Sequence, residues 1–206
     1  MTILMILILS YFLGAIPFAY IFTYLLTGKD VRKYGSGNVG ATNASRVMGF
    51  KYGLIVAGLD LLKGFIAVLI AQTLLPAGLP DYFTFLAALM AIIGHNWSVF
   101  LRFSGGKGVA TTFGILLKLI PVVFIGYAII WLVTVILTKY VSLASIIGAL
   151  ALPVLIYYLK GDLSLVVFSL ALAGFIVIRH HSNIRRLLQG RENRMDWPPG
   201  AKKGDL

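Results

Sequence analysis

"VATTFGILLKLIPVVFIGYAIIWLVTVILT", residues 109–138, is the stretch that decides the fold. As one helix it would be about 45 Å long at 1.5 Å per residue, well beyond the ~30 Å hydrocarbon core of a bilayer. Pro121 sits near its middle, and proline lacks the N–H that an unbroken helix needs and clashes with the preceding turn. Whether these residues cross a membrane once or twice determines the side on which everything after them lies.

Charge in the flanking segments answers the question. Apolar runs at about 3–26, 50–74, 82–101, 142–159 and 163–179 each read as one crossing. The loop 27–51 carries Lys29, Arg32, Lys33, Arg46 and Lys51 against Asp30, so it belongs inside by the positive-inside rule. Residues 75–81 hold no Lys or Arg and face outside, and 102–108 returns inside with Arg102 and Lys107. The tail, with Arg179, Arg185, Arg186, Arg191, Arg194, Lys202 and Lys203, also belongs inside. An even number of crossings must then separate 108 from 179, so 109–138 crosses twice: a short half-helix to about Leu119 and a second helix from about Val122. The expectation is an all-α polytopic membrane protein of seven transmembrane helices, N-terminus outside and C-terminus cytoplasmic. Residues 1–206 form a single domain, with 196–206 a loose tail.

Composition agrees. Of 206 residues, 59% are hydrophobic and only 12% charged, with a mean hydropathy of +0.93; a soluble domain carries roughly twice that charge. The net charge of +11 is explained by loop lysines and arginines at membrane boundaries rather than by nucleic acid. The same charges suit anionic membrane lipids or a phosphorylated substrate. The absence of cysteine excludes thiol catalysis and Cys-ligated metals. The first basic residue is Lys29, so the opening apolar run lacks the basic start of a cleaved signal and reads as a retained helix.

Three polar, glycine-rich segments fall on the cytoplasmic face under this topology. In "GSGNVGATNASR", residues 35–46, small residues before the next helix leave backbone N–H groups free to form an anion nest. Ser36, Asn38, Thr42 and Asn43 add neutral hydrogen-bond partners, and Arg46 adds a fork suited to phosphate. A flexible loop with Thr42 or Asn43 as a helix N-cap is the plainer alternative. In "GHNWSVFLRFSGGKGVATT", residues 94–112, Gly105, Gly106 and Gly108 surround Lys107 directly before a helix. This is not a Walker loop, since Leu101 and Gly108 occupy positions that a Walker loop gives to Gly and Ser/Thr. It still offers free N–H groups, a helix N-terminus and a cation to an anion. His95 and Asn96 precede it, and a lone histidine there is usually a structural hydrogen-bonder.

In "RHHSNIRRLLQGRE", residues 179–192, His180 and Asn183 lie one helical turn apart, and Glu192 is placed to pair with arginine. The arginines alone also fit a membrane-surface helix. Ser142 and Ser145 share one face at a cytoplasmic helix end, where Ser142 equally suits helix capping. Asp60 and Lys63, an i, i+3 pair inside the second span, read as a structural ion pair. No clustered carboxylates stand ready to hold Mg²⁺ or Zn²⁺, so metal-dependent phosphatidyl transfer and metalloproteolysis are disfavoured. Neither G-x-S-x-G nor a His followed five residues later by Asp is present.

"SGNVGATNASR", "GHNWSVFLRFSGGKGVATT" and "HHSNIRRLLQGRE", in that order between apolar spans, resemble the bacterial acyl-phosphate:glycerol-3-phosphate acyltransferase family. "DLLKG" at 60–64 and "SLASI" at 142–146 fit it too. The resemblance implies acyl transfer from acyl phosphate to the 1-hydroxyl of glycerol 3-phosphate, yielding lysophosphatidic acid and phosphate. It implies an inner-membrane enzyme of phospholipid synthesis with cytoplasmic motifs and no cofactor or metal. By resemblance Ser36 and Arg46 are essential in the first motif, and Gly105, Gly106, Lys107 and Gly108 form the glycerol-phosphate loop. His180, by the H-x-x-N spacing, and Asn183 serve catalysis, and Glu192 holds structure. Asn38, Thr42, Asn43, His95, Asn96, Ser142 and Ser145 are expected around the substrates. The general base is either His180 or a substrate phosphate oxygen, and a covalent acyl-Ser36 is a third route. The alternative from another class is a transporter of an organic phosphate, which would use a similar cationic site within a bundle.

Overall fold

A computed structural model describes residues 2–195; the expected loose tail, 196–206, lies outside the described residues. The chain is a bundle of helices. The opening apolar run forms α1 (Thr2–Ala15) and α2 (Phe18–Thr27), broken where Ile16 meets Pro17, because a residue before proline is pushed out of the helical region. A short helix, α3 (Ala41–Met48), precedes the long α4 (Phe50–Leu74). Then come α5 (Tyr82–Asn96), α6 (Val109–Leu119), α7 (Pro121–Thr138), α8 (Val141–Lys160), α9 (Leu163–Arg179) and α10 (His181–Leu188).

The stretch 109–138 divides as its proline predicts. Ile120 leaves the helix at φ −146°, ψ 75°, and Pro121 occupies the first position of α7, where its missing N–H costs nothing. The expected span 82–101 is shorter than its hydropathy indicates, since α5 ends at Asn96. Beyond it Ser98 pairs with Ser104, its N–H donating to the Ser104 carbonyl at 3.2 Å, and Ser98 Oγ donates to the Ala15 carbonyl at 2.6 Å. These bonds fold 97–104 back on the end of α1, so the apolar residues Val99, Phe100 and Leu101 belong to a turn.

Among the described residues four helical segments are long and apolar enough to cross a membrane unaided: Thr2–Thr27, Phe50–Leu74, Pro121–Thr138 and Val141–Lys160. A fifth results if α9 and α10, bent by 61° at His180, count as one broken span. With 15 and 11 residues, α5 and α6 reach about 22 and 16 Å. Their shortness has a structural reason. The last turn of α5 brings His95 to Asp60, and the start of α6 brings Thr111 and Gly114 against Gly64 and Leu61. Both short helices therefore meet at a level about 15 Å along α4 from Phe50, and the loop joining them is held at that depth.

Close packing holds the bundle. On α4 and α6, Gly64 and Gly114 sit where any side chain would strike the other helix's backbone, and Gly14 on α1 and Gly94 on α5 do the same for that pair. Small residues at such crossings bring backbones together, as membrane helix association requires. Tyr127, Leu152, Ile156 and Leu172 are buried with Ile92, Ile115 and Leu116 in the largest apolar cluster. The opposite faces carry exposed Leu4, Leu25, Leu137, Tyr158 and Leu163, an apolar exterior suited to lipid.

Candidate functional site

The polar segments come together where α5 and α6 meet. The first is shaped by Asn43, buried on α3; the N-cap of that helix is Gly40, which removes the alternative of capping by Thr42 or Asn43. The Asn43 side-chain N–H groups donate to the carbonyls of Val31 and Tyr34, both at 3.0 Å, and its Oδ1 accepts from the Ser36 N–H at 2.8 Å. Asn43 thus fastens the loop, while Ser36 and Thr42 remain exposed. The Asn38 N–H reaches the Ser36 hydroxyl at 3.5 Å, and the stem of Arg46 lies beside Gly35.

The second segment packs directly on the first. A Cβ at Gly106 would collide with the His95 ring and stand 2.7 Å from the Val39 carbonyl oxygen, so glycine is required where the two loops touch. The Gly106 N–H donates to the His95 carbonyl at 3.0 Å. Gly108 adopts φ 81° at the start of α6, a left-handed turn that favours glycine. Beneath it, Asn96 is buried with no protein hydrogen-bond partner for its amide among the described residues.

The third segment closes on the second. Lys107 Nζ donates to Asn183 Oδ1. The Asn183 amide donates to Glu192 Oε1 at 2.7 Å, Arg186 reaches Glu192 Oε2 at 2.7 Å, and Ser142 Oγ donates to Glu192 Oε1 at 2.9 Å. Ser142 is therefore not the cap of α8, whose N-cap is Tyr140; it instead fixes the carboxylate that orients Asn183. Ser145, one turn on, donates to the Val141 carbonyl at 2.8 Å and accepts from the Trp131 indole at 3.3 Å.

Electrostatics follow from this geometry. Burial lowers Lys107 to about 8; Glu192 opposes the shift, and Arg186, Arg179 and Arg46 reinforce it. Burial, then the nearby Lys107 charge, lowers His180 to about 4. Its Nδ1 lies 2.7 Å from the Ile176 carbonyl; a carbonyl only accepts, so Nδ1 carries the proton and Nε2 keeps a free lone pair. Glu192 is held below the ordinary glutamate range: its bonds from Asn183, Arg186 and Ser142 outweigh burial, the largest single influence, which acts upward. Among the described residues Lys107 thus feels three arginines and one carboxylate.

A second cluster lies below the glycine loop. Asp60 and Lys63 form their expected pair at 2.8 Å, and Lys63 also donates to the Ile16 carbonyl, freed by the break between α1 and α2, at 3.0 Å. His95 Nδ1 stands 3.6 Å from the same Asp60 oxygen. His95 is therefore part of an ionic cluster, a role that its position 35 residues away in sequence hides. A small cavity with room for about one water opens among Ile16, Val39, Asp60, Lys63, His95 and Gly105. Arg179, unmarked among the cations of the tail, donates from Nε to the Gly106 carbonyl at 3.0 Å and from Nη2 to the Gly105 carbonyl at 3.1 Å. Its guanidinium also lies over the Trp97 ring, 5.5 Å from the centroid.

Comparison with known proteins supplies the family. The family model described as glycerol-3-phosphate acyltransferase matches residues 4–190. A glycerol-3-phosphate acyltransferase 2 of Moorella thermoacetica is 47% identical over 192 residues, covering 93% of this chain and 97% of the relative. A glycerol-3-phosphate acyltransferase of Listeria monocytogenes is 42% identical over 203 residues, 96% and 100% of the two chains. Among solved structures, the chain is similar to PlsY (YgiH), an integral membrane glycerol 3-phosphate acyltransferase. Its glycerol 3-phosphate form superposes with a TM-score of 0.89 at 38% identity, covering 95% of this chain and 96% of that one. Its lysophosphatidic acid form gives 0.86 at 36% identity. The chain is a multi-pass membrane protein and belongs to the glycerol-3-phosphate acyltransferase family.

Proposed function

We propose that this acyltransferase takes its acyl group from an acyl phosphate and places it on the 1-hydroxyl of glycerol 3-phosphate, releasing lysophosphatidic acid and phosphate as the first step of phospholipid synthesis. The observation that carries the reading is the surplus of positive charge where the three loops meet, Lys107, Arg46, Arg179 and Arg186 against Glu192 among the described residues. Two phosphate-bearing substrates would supply the missing negative charge, and the apolar helices around the loops would hold the fatty chain. An organic-phosphate transporter accounts for the cations but not for membership of an acyltransferase family.

In the proposed reaction the glycerol hydroxyl oxygen attacks the acyl carbonyl carbon. The carbon–oxygen bond to phosphate then breaks, and phosphate departs with the electron pair. Lys107, Arg46 and the loop amides neutralise the phosphates and the tetrahedral oxyanion. A histidine titrating at about 4 is a weak base at neutral pH. The hydroxyl proton therefore passes to a phosphate oxygen of the substrate, while the free Nε2 of His180 orients glycerol 3-phosphate by accepting a hydrogen bond from its 2-hydroxyl. Ser36, Asn38 and Thr42 contribute hydrogen bonds from the first loop, and Asn183 holds Lys107 in place. The mechanism needs no metal ion or cofactor.

The charge argument extends to topology. Seven crossings, with α5 and α6 completing theirs beside longer neighbours, put the N-terminus outside and all three motifs at the cytoplasmic face of a bacterial inner membrane. The test is direct. Purified protein receives acyl phosphate or acyl-CoA with glycerol 3-phosphate, and phosphate and lysophosphatidic acid are followed together. Both products rising in step with acyl phosphate alone is the expected result. Product from acyl-CoA, or none from acyl phosphate in folded protein, overturns the donor assignment.

A further inference from the structure

We infer that Arg179 is a positioning residue for the acyl transfer: by holding the carbonyls of Gly105 and Gly106, it turns the Lys107 N–H toward the phosphate of glycerol 3-phosphate. The inference rests on the reading above that the glycine loop receives that phosphate.

The geometry is that of two consecutive peptide planes. In a trans peptide the C=O and the following N–H point to opposite sides. The Gly105–Gly106 plane is fixed at both edges, its carbonyl accepting from Arg179 Nη2 at 3.1 Å and its N–H donating to the His95 carbonyl at 3.0 Å. In the next plane the Gly106 carbonyl accepts from Arg179 Nε at 3.0 Å. The Lys107 N–H must therefore point away from Arg179, and no backbone carbonyl accepts it among the described residues. One planar guanidinium thus sets two carbonyls at once, which a point charge does less well. Without it the Gly106 carbonyl would be free to swing toward the anion site, putting partial negative charge where a phosphate must sit.

Two further contacts make Arg179 more than a stray cation. Its guanidinium is steadied over the Trp97 ring at 5.5 Å. As the last residue of α9, it also directly precedes His180. The residue that orients the Lys107 amide thereby also sets the distance between the glycine loop and the histidine of the third segment.

The test uses full-length protein in detergent, comparing wild type, Arg179→Gln and Arg179→Lys. Calorimetric titration with glycerol 3-phosphate alone reads the site without turnover, and steady-state kinetics with acyl phosphate read each KM separately. The expected result is glycerol 3-phosphate binding about tenfold weaker in R179Q, consistent with the loss of one charge-assisted contact. Its KM for acyl phosphate stays within about threefold of wild type, thermal unfolding is little changed, and R179K recovers part of the binding. Binding in R179Q within about twofold of wild type overturns the proposal. So does a loss that affects both substrates alike, tracks a fall in thermal midpoint and is not recovered by lysine, since that is the mark of a merely structural clamp. A wild type that binds glycerol 3-phosphate but makes no product from acyl phosphate defeats the donor assignment alone; the titration still decides on Arg179. Wild-type protein that fails to bind glycerol 3-phosphate overturns both.

Discussion

Two charge clusters flank the glycine loop, one touching it through His95 and the other through Arg179, and they are built to opposite ends. Below the loop, Asp60, Lys63 and His95 are sealed among α1, α4 and α5; the side chains of Asp60 and Lys63 are 3% and 2% exposed. There one carboxylate faces one ammonium, and the remaining donor capacity goes to the Ile16 carbonyl. Above the loop, Glu192 faces several cations, and the Arg186 side chain is 35% exposed. A balanced, buried cluster has its charges paired internally, whereas a cation-rich one leaves positive charge for an anion to meet. On the proposed reading, the difference separates residues that build the site from residues that work in it.

Predictions test that contrast, the largest effect first. Asp60→Ala leaves Lys63 buried and unpaired, and breaking a buried pair in this way costs about 3–5 kcal/mol. A thermal unfolding series in detergent should show that loss; a variant as stable as wild type would mean the lower cluster is not structural. Lys107→Ala should do the reverse, lowering turnover by about a thousandfold, as expected for loss of a group stabilising transition-state charge, with little change in unfolding. Equal losses of both kinds in Lys107→Ala would erase the distinction between the clusters.

Glu192→Ala removes the acceptor shared by Asn183, Arg186 and Ser142, which should cost about 1–3 kcal/mol of stability and release Asn183 from Lys107. The pH profile is a finer probe. Burial lowers Lys107 to about 8, and in the proposed site its charged form holds phosphate, so activity should fall about tenfold per pH unit above that value. Lys107→Arg, charged at every accessible pH, should flatten this limb. For stability the sign is opposite. The folded value lies below the free value, so the unfolded chain binds more protons between about 8 and the ordinary lysine range, and stability rises with pH there. No activity limb from His180 should appear near neutrality, since its titration is displaced to about 4. The smallest effect belongs to Ser145→Ala, whose hydroxyl serves Val141 and Trp131: about 0.5–1.5 kcal/mol of stability and turnover within about threefold of wild type. A large loss of turnover would bring Ser145 into the site.

Much of this arrangement is legible in the linear chain because its signals are local. Pro121 marks the break between α6 and α7 without any tertiary information, since the ring excludes a hydrogen bond wherever it sits. The i, i+3 spacing of Asp60 and Lys63 places them on one face of any helix. The three glycine-rich polar segments stand out against apolar surroundings, and their motif order is enough to suggest the family. Hydropathy failed at 97–101, where apolar residues continue past the end of α5; the bonds that end the helix come from Ser104 and from Ala15, far away in sequence. Arg179 was indistinguishable from its neighbours in the basic tail, because a count of charges does not tell which of them meets two glycine carbonyls.

What the sequence by itself determined was therefore whatever depends on neighbours along the chain: the apolar segments, their breaks, the charges that each loop carries, and the residue types in each polar segment. Only the tertiary structure decided which of those residues share a site. Lys107 with Asn183, Ser142 with Glu192 and His95 with Asp60 are joined across 76, 50 and 35 positions. Such contacts are set by how the helices pack. The glycines on α1, α4, α5 and α6 let backbones approach closely enough to hold two short helices partway along α4, and that depth brings the glycine loop, the ion pair and the end of α9 together.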